Sequence, residues 1–282
     1  MDHHLPEHGH DAPGGALDWL PPALVLLAAA GAYLLLVRRA RHRNPALGWS
    51  RWRTGFFLGG TGLLGVALLP PVALFAHEDF RGHMIQHLLI GMYAPLALVL
   101  AAPVTLLLRT LPASRGRRLT AVLHSRPARV IAHPAVALVL SAGSLVVLYF
   151  TPLYNATAAV PAAHWLLHAH FLLSGSLFAH AIAGPDPAPA RPGVKARLVY
   201  LGVAIAAHAV ISQLIYAGVR VHIHAPVDQV QGGAEVMYYG GDLAELLLAA
   251  ALVATWRPEP RRAASRGAGR GVVPARNVSG GP

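Results

Sequence analysis

His83 and His87 stand four residues apart in HMIQHLLIGMYAPLALVLAAP, residues 83–103, and His164 and His168 repeat that spacing in HWLLHAHF. On a helix, residues i and i+4 project from one face over one turn, so each pair offers two imidazoles side by side. Farther along, Asp242 and Glu245 stand at i,i+3. Imidazole is a ligand for copper, zinc, iron and nickel. A nearby carboxylate either joins the metal or fixes the tautomer of a coordinating ring. The chain has no cysteine, which removes thiolate ligands, disulfides and thiol redox chemistry. Histidine with methionine close by (Met84, Met92) suits copper best, and zinc is the close competitor.

The elements that must carry these groups are apolar. Of the 282 residues 55% are hydrophobic and 12% charged, and the mean hydropathy of +0.48 lies outside the usual range for a soluble domain. Seven apolar runs approach the roughly 20 residues that span a bilayer: 18–37, 54–76, 84–108, 130–152, 163–183, 198–219 and 237–256. They are too long for barrel strands and do not alternate in polarity, so the expected fold is all-α, a polytopic membrane protein with seven transmembrane helices. Residues 1–17 form a His-rich external segment, 18–256 the membrane domain, and 257–282 a basic cytoplasmic tail too poor in apolar residues to build a core.

Orientation follows from the basic residues. All of the 23 lysines and arginines except Arg81 and Arg220 follow the first, third, fifth or seventh run. The positive-inside rule therefore places the N-terminus outside and the C-terminus in the cytoplasm of a bacterial inner membrane. The net charge of +11 sits beside helix ends, where it sets topology and meets anionic lipid, so the bilayer rather than a nucleic acid is the expected partner. Walker, dinucleotide and HExxH patterns are absent, and no catalytic constellation replaces them. MDHHLPEHGH lacks the basic region of a cleavable signal, so the first run is expected to remain as an anchor. The sequons at Asn155 and Asn277 read as chance.

Arginine gathers inside and histidine outside. His3, His4, His8, His10, His77, His83, His87, His164, His168, His222 and His224 all fall in external segments or outer helix turns, a bias that solvation alone does not require. An ionisable group within a span costs a few kcal/mol on insertion scales and marks a functional site by default. The expected metal ligands are His83, His87, His164 and His168, with Asp242 as a further ligand or as the acceptor that fixes an imidazole tautomer. The N-terminal HHLPEHGH reads either as a tract for copper or zinc or as a polar tract tolerated because it needs no fold. His208 lies deeper, as a proton relay, a haem ligand or a histidine bonded to Ser212 or Gln213.

The 83–103 stretch resembles the signature of the CtaG-type polytopic membrane proteins that assist cytochrome c oxidase assembly. The resemblance continues in HPAVALVL, in HWLLHAHF, and in DQVQGG followed by Met237 and GGD, and covers roughly residues 50–255. Leu96, Ala101 and Tyr238 depart from the family pattern, where Pro, Gly and Trp are expected, while His83, His87, His164 and His168 match it. The resemblance implies seven helices, a non-enzymatic role in maturing the oxidase, and an association with copper supply. Oxidase subunits are then the clients, with the His-rich N-terminus or a soluble copper carrier as donor. Two alternatives stay open: a redox cytochrome with haem between His87 and His168, and a metal or proton transporter routed through His170, His208 and the carboxylates.

Overall fold

The computed structural model describes residues 19–188 and 191–256, and among these there is helix and no strand. The His-rich segment and the basic tail lie outside the described residues. The helices are α1 (Leu20–Arg43), α2 (Arg51–Leu68), α3 (Val72–Glu78), α4 (Phe80–Thr110), α5 (Ala113–Leu123), α6 (Arg126–Ile131), α7 (Pro134–Tyr149), α8 (Leu153–Ala158), α9 (Pro161–Ala183), α10 (Val194–Tyr216) and α11 (Val227–Thr255). Five of them, α1, α4, α9, α10 and α11, are long and apolar enough to cross a membrane. A sixth crossing is available if α2 and α3, bent by 42° at the Pro70–Pro71 break, act as one span. Proline has no N–H to continue the ladder, which accounts for the bend. The apolar run at 130–152 forms the shorter α7.

α4 is the central element, and its second interruption is answered by side chains from α1 and from the loop after α9. Asp79 caps it, accepting from Arg81 N at 2.8 Å, and the Arg81 side chain beside it holds the Asp79 carboxyl below its ordinary range. A π turn at Leu89–Tyr93 precedes Pro95, which has no N–H to give Gly91 O. A second break falls at Ala102, in the left-handed region at φ 54°, just before Pro103. Tyr33 of α1 donates to Ala101 O at 3.0 Å. From the loop after α9, the buried Asp186 accepts from Val104 N at 3.0 Å and from Thr105 N at 2.7 Å. Irregular backbone at membrane depth persists only where protein groups satisfy it, and these two side chains do so.

α4, α7, α9, α10 and α11 build the core. Phe80, Met84, Ile90, Tyr149, Phe171 and Met237 form one half of it, and Phe178, Ile182, Leu201, Leu248 and Leu252 the other. Small residues let the helices approach closely: a Cβ at Gly175 of α9 would collide with Gly91 O of α4. This is the packing that membrane helices use when lipid supplies no hydrophobic drive.

α11 corrects one expectation. The helix begins at Val227 rather than near 237, because the polar stretch DQVQGGAEV packs on α4 instead of forming a loop. Gly232 and Gly233 there have no room for a Cβ against Arg81, Phe80 and Met84. Asp242 and Glu245 are therefore about 22 and 27 Å along α11 at 1.5 Å per residue, not at its outer rim.

Candidate metal-handling site

The clustered histidines come from three elements. His77 lies in the last turn of α3, His83 and His87 in the first turns of α4, and His164 and His168 in the first turns of α9. The His164 ring stacks on His77 at 5.3 Å between centroids and meets His168 edge-on at 4.4 Å. His83 is buried, with Nε2 3.1 Å from the Tyr149 hydroxyl, and that hydroxyl is 3.6 Å from Met84 Sδ. Phe80 and Tyr154 close around the His83 ring. His87 points one turn deeper and packs edge-on against Phe171 at 4.4 Å.

Gln86 links the two histidine helices. Its amide nitrogen donates to Ala67 O at 2.8 Å, and its Oε1 lies 3.1 Å from His168 Nε2. An amide oxygen only accepts, so His168 must carry its proton on Nε2. The neutral ring then holds a bare lone pair at Nδ1. That atom is buried and has no hydrogen-bond partner among the described residues. A neutral imidazole whose other nitrogen is tied to an acceptor is oriented as metal-ligating histidines are.

The histidines foreseen from sequence fall into two groups. His77, absent from the expected ligand set, joins His164 and His168 near the start of α9. His83 is engaged with Tyr149. His87 faces a cavity shared with His208 and Glu245. Glu245, rather than Asp242, is the buried carboxylate, with Oε1 3.5 Å from His208 Nδ1. Asp242 is half-buried and makes no side-chain hydrogen bond among the described residues. Ser212 donates to the His208 backbone oxygen rather than to its ring. Among the described residues no three His, Asp or Glu side chains converge on one point at metal-ligand spacing. Asn155, the first sequon, is used structurally: its side chain donates to His222 O and accepts from His224 N, tying α8 to the loop between α10 and α11.

Sequence reasoning missed His77, Gln86 and Tyr149. His77 carried a signal in its external position, but its α3 helix is not contiguous with either histidine pair. Gln86 carried none, since an amide between two histidines has no periodic signature.

Among known proteins, residues 31–259 match the model of the cytochrome c oxidase caa3 assembly factor family (Caa3_CtaG). An uncharacterized protein of Mycobacterium bovis is 31% identical over 273 residues, covering 86% of this chain and 40% of that protein. An uncharacterized protein of Mycobacterium leprae is 32% identical over 268 residues, covering 86% and 39%. The chain thus spans about 40% of the length of the curated relatives it matches. No solved structure matches it. The family match runs from within α1 to beyond the end of α11 and takes in both histidine helices and the carboxylate helix, and the chain belongs to the cytochrome c oxidase caa3 assembly factor family.

Proposed function

We propose that this chain is a non-enzymatic assembly factor of the bacterial cytoplasmic membrane that accepts copper on the outer side and passes it to a cytochrome c oxidase subunit during maturation. Family membership supports the oxidase as client. The observation that carries the copper reading is the His168 ring: Gln86 fixes its tautomer, its Nδ1 lone pair is buried and unpartnered, and His164 stands against it with His77 stacked on His164. With no cysteine present, imidazole and thioether are the soft donors on offer, and that set favours copper over zinc. His83 and His87 are the next donors along α4, and Glu245, 3.5 Å from His208, is the buried carboxylate beyond them.

An incomplete shell suits cargo. A closed four-ligand site holds its metal as structure, whereas two or three imidazoles accept an ion whose remaining ligands come from the donor or the client. Topologically, the bent α2–α3 pair and the short α7 complete seven spans. The arginine distribution then puts the N-terminus outside and the C-terminus in the cytoplasm. The haem alternative finds no support in the cavity at His87, which holds about 60 Å³ against roughly 300 Å³ or more for an ordinary cofactor pocket.

The test is copper per folded protein, measured beside oxidase activity in the same membranes, for His164→Ala, His168→Ala and the double variant. Groups acting as one unit are non-additive, so the double variant should lose little more copper than either single one, and oxidase maturation should fall with it. His42→Ala, on an exposed turn at the far end of α1, should leave both readouts unchanged. A double variant that keeps its copper and still matures the oxidase would return these imidazoles to a packing role.

A further inference from the structure

The cavity in the middle of the bundle is lined by donors that the outer imidazoles do not use. It holds about 60 Å³, room for an ion with one or two waters. His87, Met92, His208 and Glu245 are on its wall. His87, His208 and Glu245 are 5%, 6% and 3% exposed, so the environment removes them from solvent almost completely. Yet Nδ1 of His87, Nε2 of His208 and Oε2 of Glu245 have no hydrogen-bond partner among the described residues. A buried polar atom left unsatisfied is costly, and three around one cavity need a reason.

A separate observation is the spacing of the other two atoms of the His208–Glu245 pair. The 3.5 Å between His208 Nδ1 and Glu245 Oε1 is beyond the usual N–H···O range of about 2.7–3.2 Å. Two donors each about 2.1 Å from a single ion at a tetrahedral angle lie about 3.4 Å apart. The backbone around them is built irregularly. Gly91 and Met92 come from the π turn Leu89–Tyr93, and Ser141 and Ala142, on the opposite wall, from a second π turn at Val139–Gly143. Such turns recur at functional sites. Here the first brings His87 and Met92, five residues apart, onto one wall. Gly241 seats the His208 ring, because a Cβ at that position would collide with it.

We infer that this cavity is a second metal station within the membrane, binding one Cu(I) ion through His208, Glu245 and Met92, with His87 on its outer side facing the first station. Imidazole with thioether is a Cu(I) donor set. The choice of copper over another imidazole-binding metal rests on the function proposed above; the existence of the site rests on the cavity and its donors. The donors stand around the space rather than converging on one point, so binding draws them inward.

The experiment is anaerobic titration of the purified full chain with Cu(I) against a chromophoric chelator, followed by X-ray absorption at the copper edge. Beyond what the N-terminal HHLPEHGH tract takes up, which the variant His3→Ala, His4→Ala, His8→Ala, His10→Ala subtracts, the wild type should take two equivalents. Glu245→Gln and His208→Gln should each weaken one of them by roughly 10- to 100-fold and leave the other in place. His164→Ala with His168→Ala should do the converse. Met92→Leu, a volume-conserving change, should remove a sulfur scatterer while the protein stays folded, which keeps the test decisive if a buried polar variant does not accumulate. A single equivalent lost only with the outer histidines overturns this site and leaves the proposed function standing. A single equivalent lost only with Glu245→Gln supports this site and overturns the outer one. Two equivalents retained in Glu245→Gln and His208→Gln, with no sulfur scatterer in the wild type, also overturn it.

Discussion

Replacing Gly175 by alanine tests whether the close approach of α4 and α9 holds the two histidine helices in register. An ideal Cβ at Gly175 falls on Gly91 O, 2.9 Å from Gly91 C and 3.2 Å from Pro95 Cγ. Two of these three neighbours are backbone and the third is a proline ring, so no flexible side chain can turn away. Relief requires the helices to part by on the order of 1 Å to restore ordinary contacts near 3.5 Å. Overpacking of this kind costs roughly 1–3 kcal/mol, partly offset by the gain of about 1 kcal/mol that alanine brings over glycine in a helix. Gly59→Ala on α2 is the matched control, with nothing within 4 Å of its added Cβ; it should be neutral or slightly stabilising. Thermal unfolding of the purified protein in detergent should show Gly175→Ala melting several degrees below the wild type and Gly59→Ala at or above it. Bound copper per folded Gly175→Ala protein should also fall, because His83 and His87 ride on α4 and His164 and His168 on α9. If Gly175→Ala melts with or above Gly59→Ala and keeps its copper, the helices are not held by this contact and the reasoning fails.

Two further outcomes follow from the same structure. Gln86→Leu removes the acceptor that fixes the His168 tautomer and should lower copper affinity at the outer station by roughly 10- to 100-fold with no ligand removed; unchanged affinity in a competition titration would mean that the His168 tautomer is set elsewhere. Reporters fused after Arg118 or Arg53 should read cytoplasmic and those near Asp79 or Asp228 external, and a periplasmic signal at Arg118 would break the seven-span topology.

The helical class and five of the seven expected spans were readable because lipid imposes a one-dimensional rule: a backbone that must bond to itself across about 30 Å needs about 20 consecutive apolar residues. The i,i+4 histidine pairs were readable for a similar reason, since helical periodicity alone fixes which neighbours share a face. Both rules work within one segment and stop at its edge. The start of α11 was hidden because DQVQGGAEV is polar by composition, and only its glycines packing on Phe80, Arg81 and Met84 make it helix. The choice between Asp242 and Glu245 depended on the rotation of α11 about its axis. Neighbouring helices set that rotation, and they bury Glu245 against His208 while leaving Asp242 half-exposed. The Gln86–His168 bond joins residues 82 apart in the chain, and the central cavity draws its wall from five helices. The sequence by itself determined which residue types could bind a metal and which of them share a helix face. Only the tertiary structure decided which of them meet, because ligation is a condition on distances of a few ångströms between segments whose spacing no local pattern encodes.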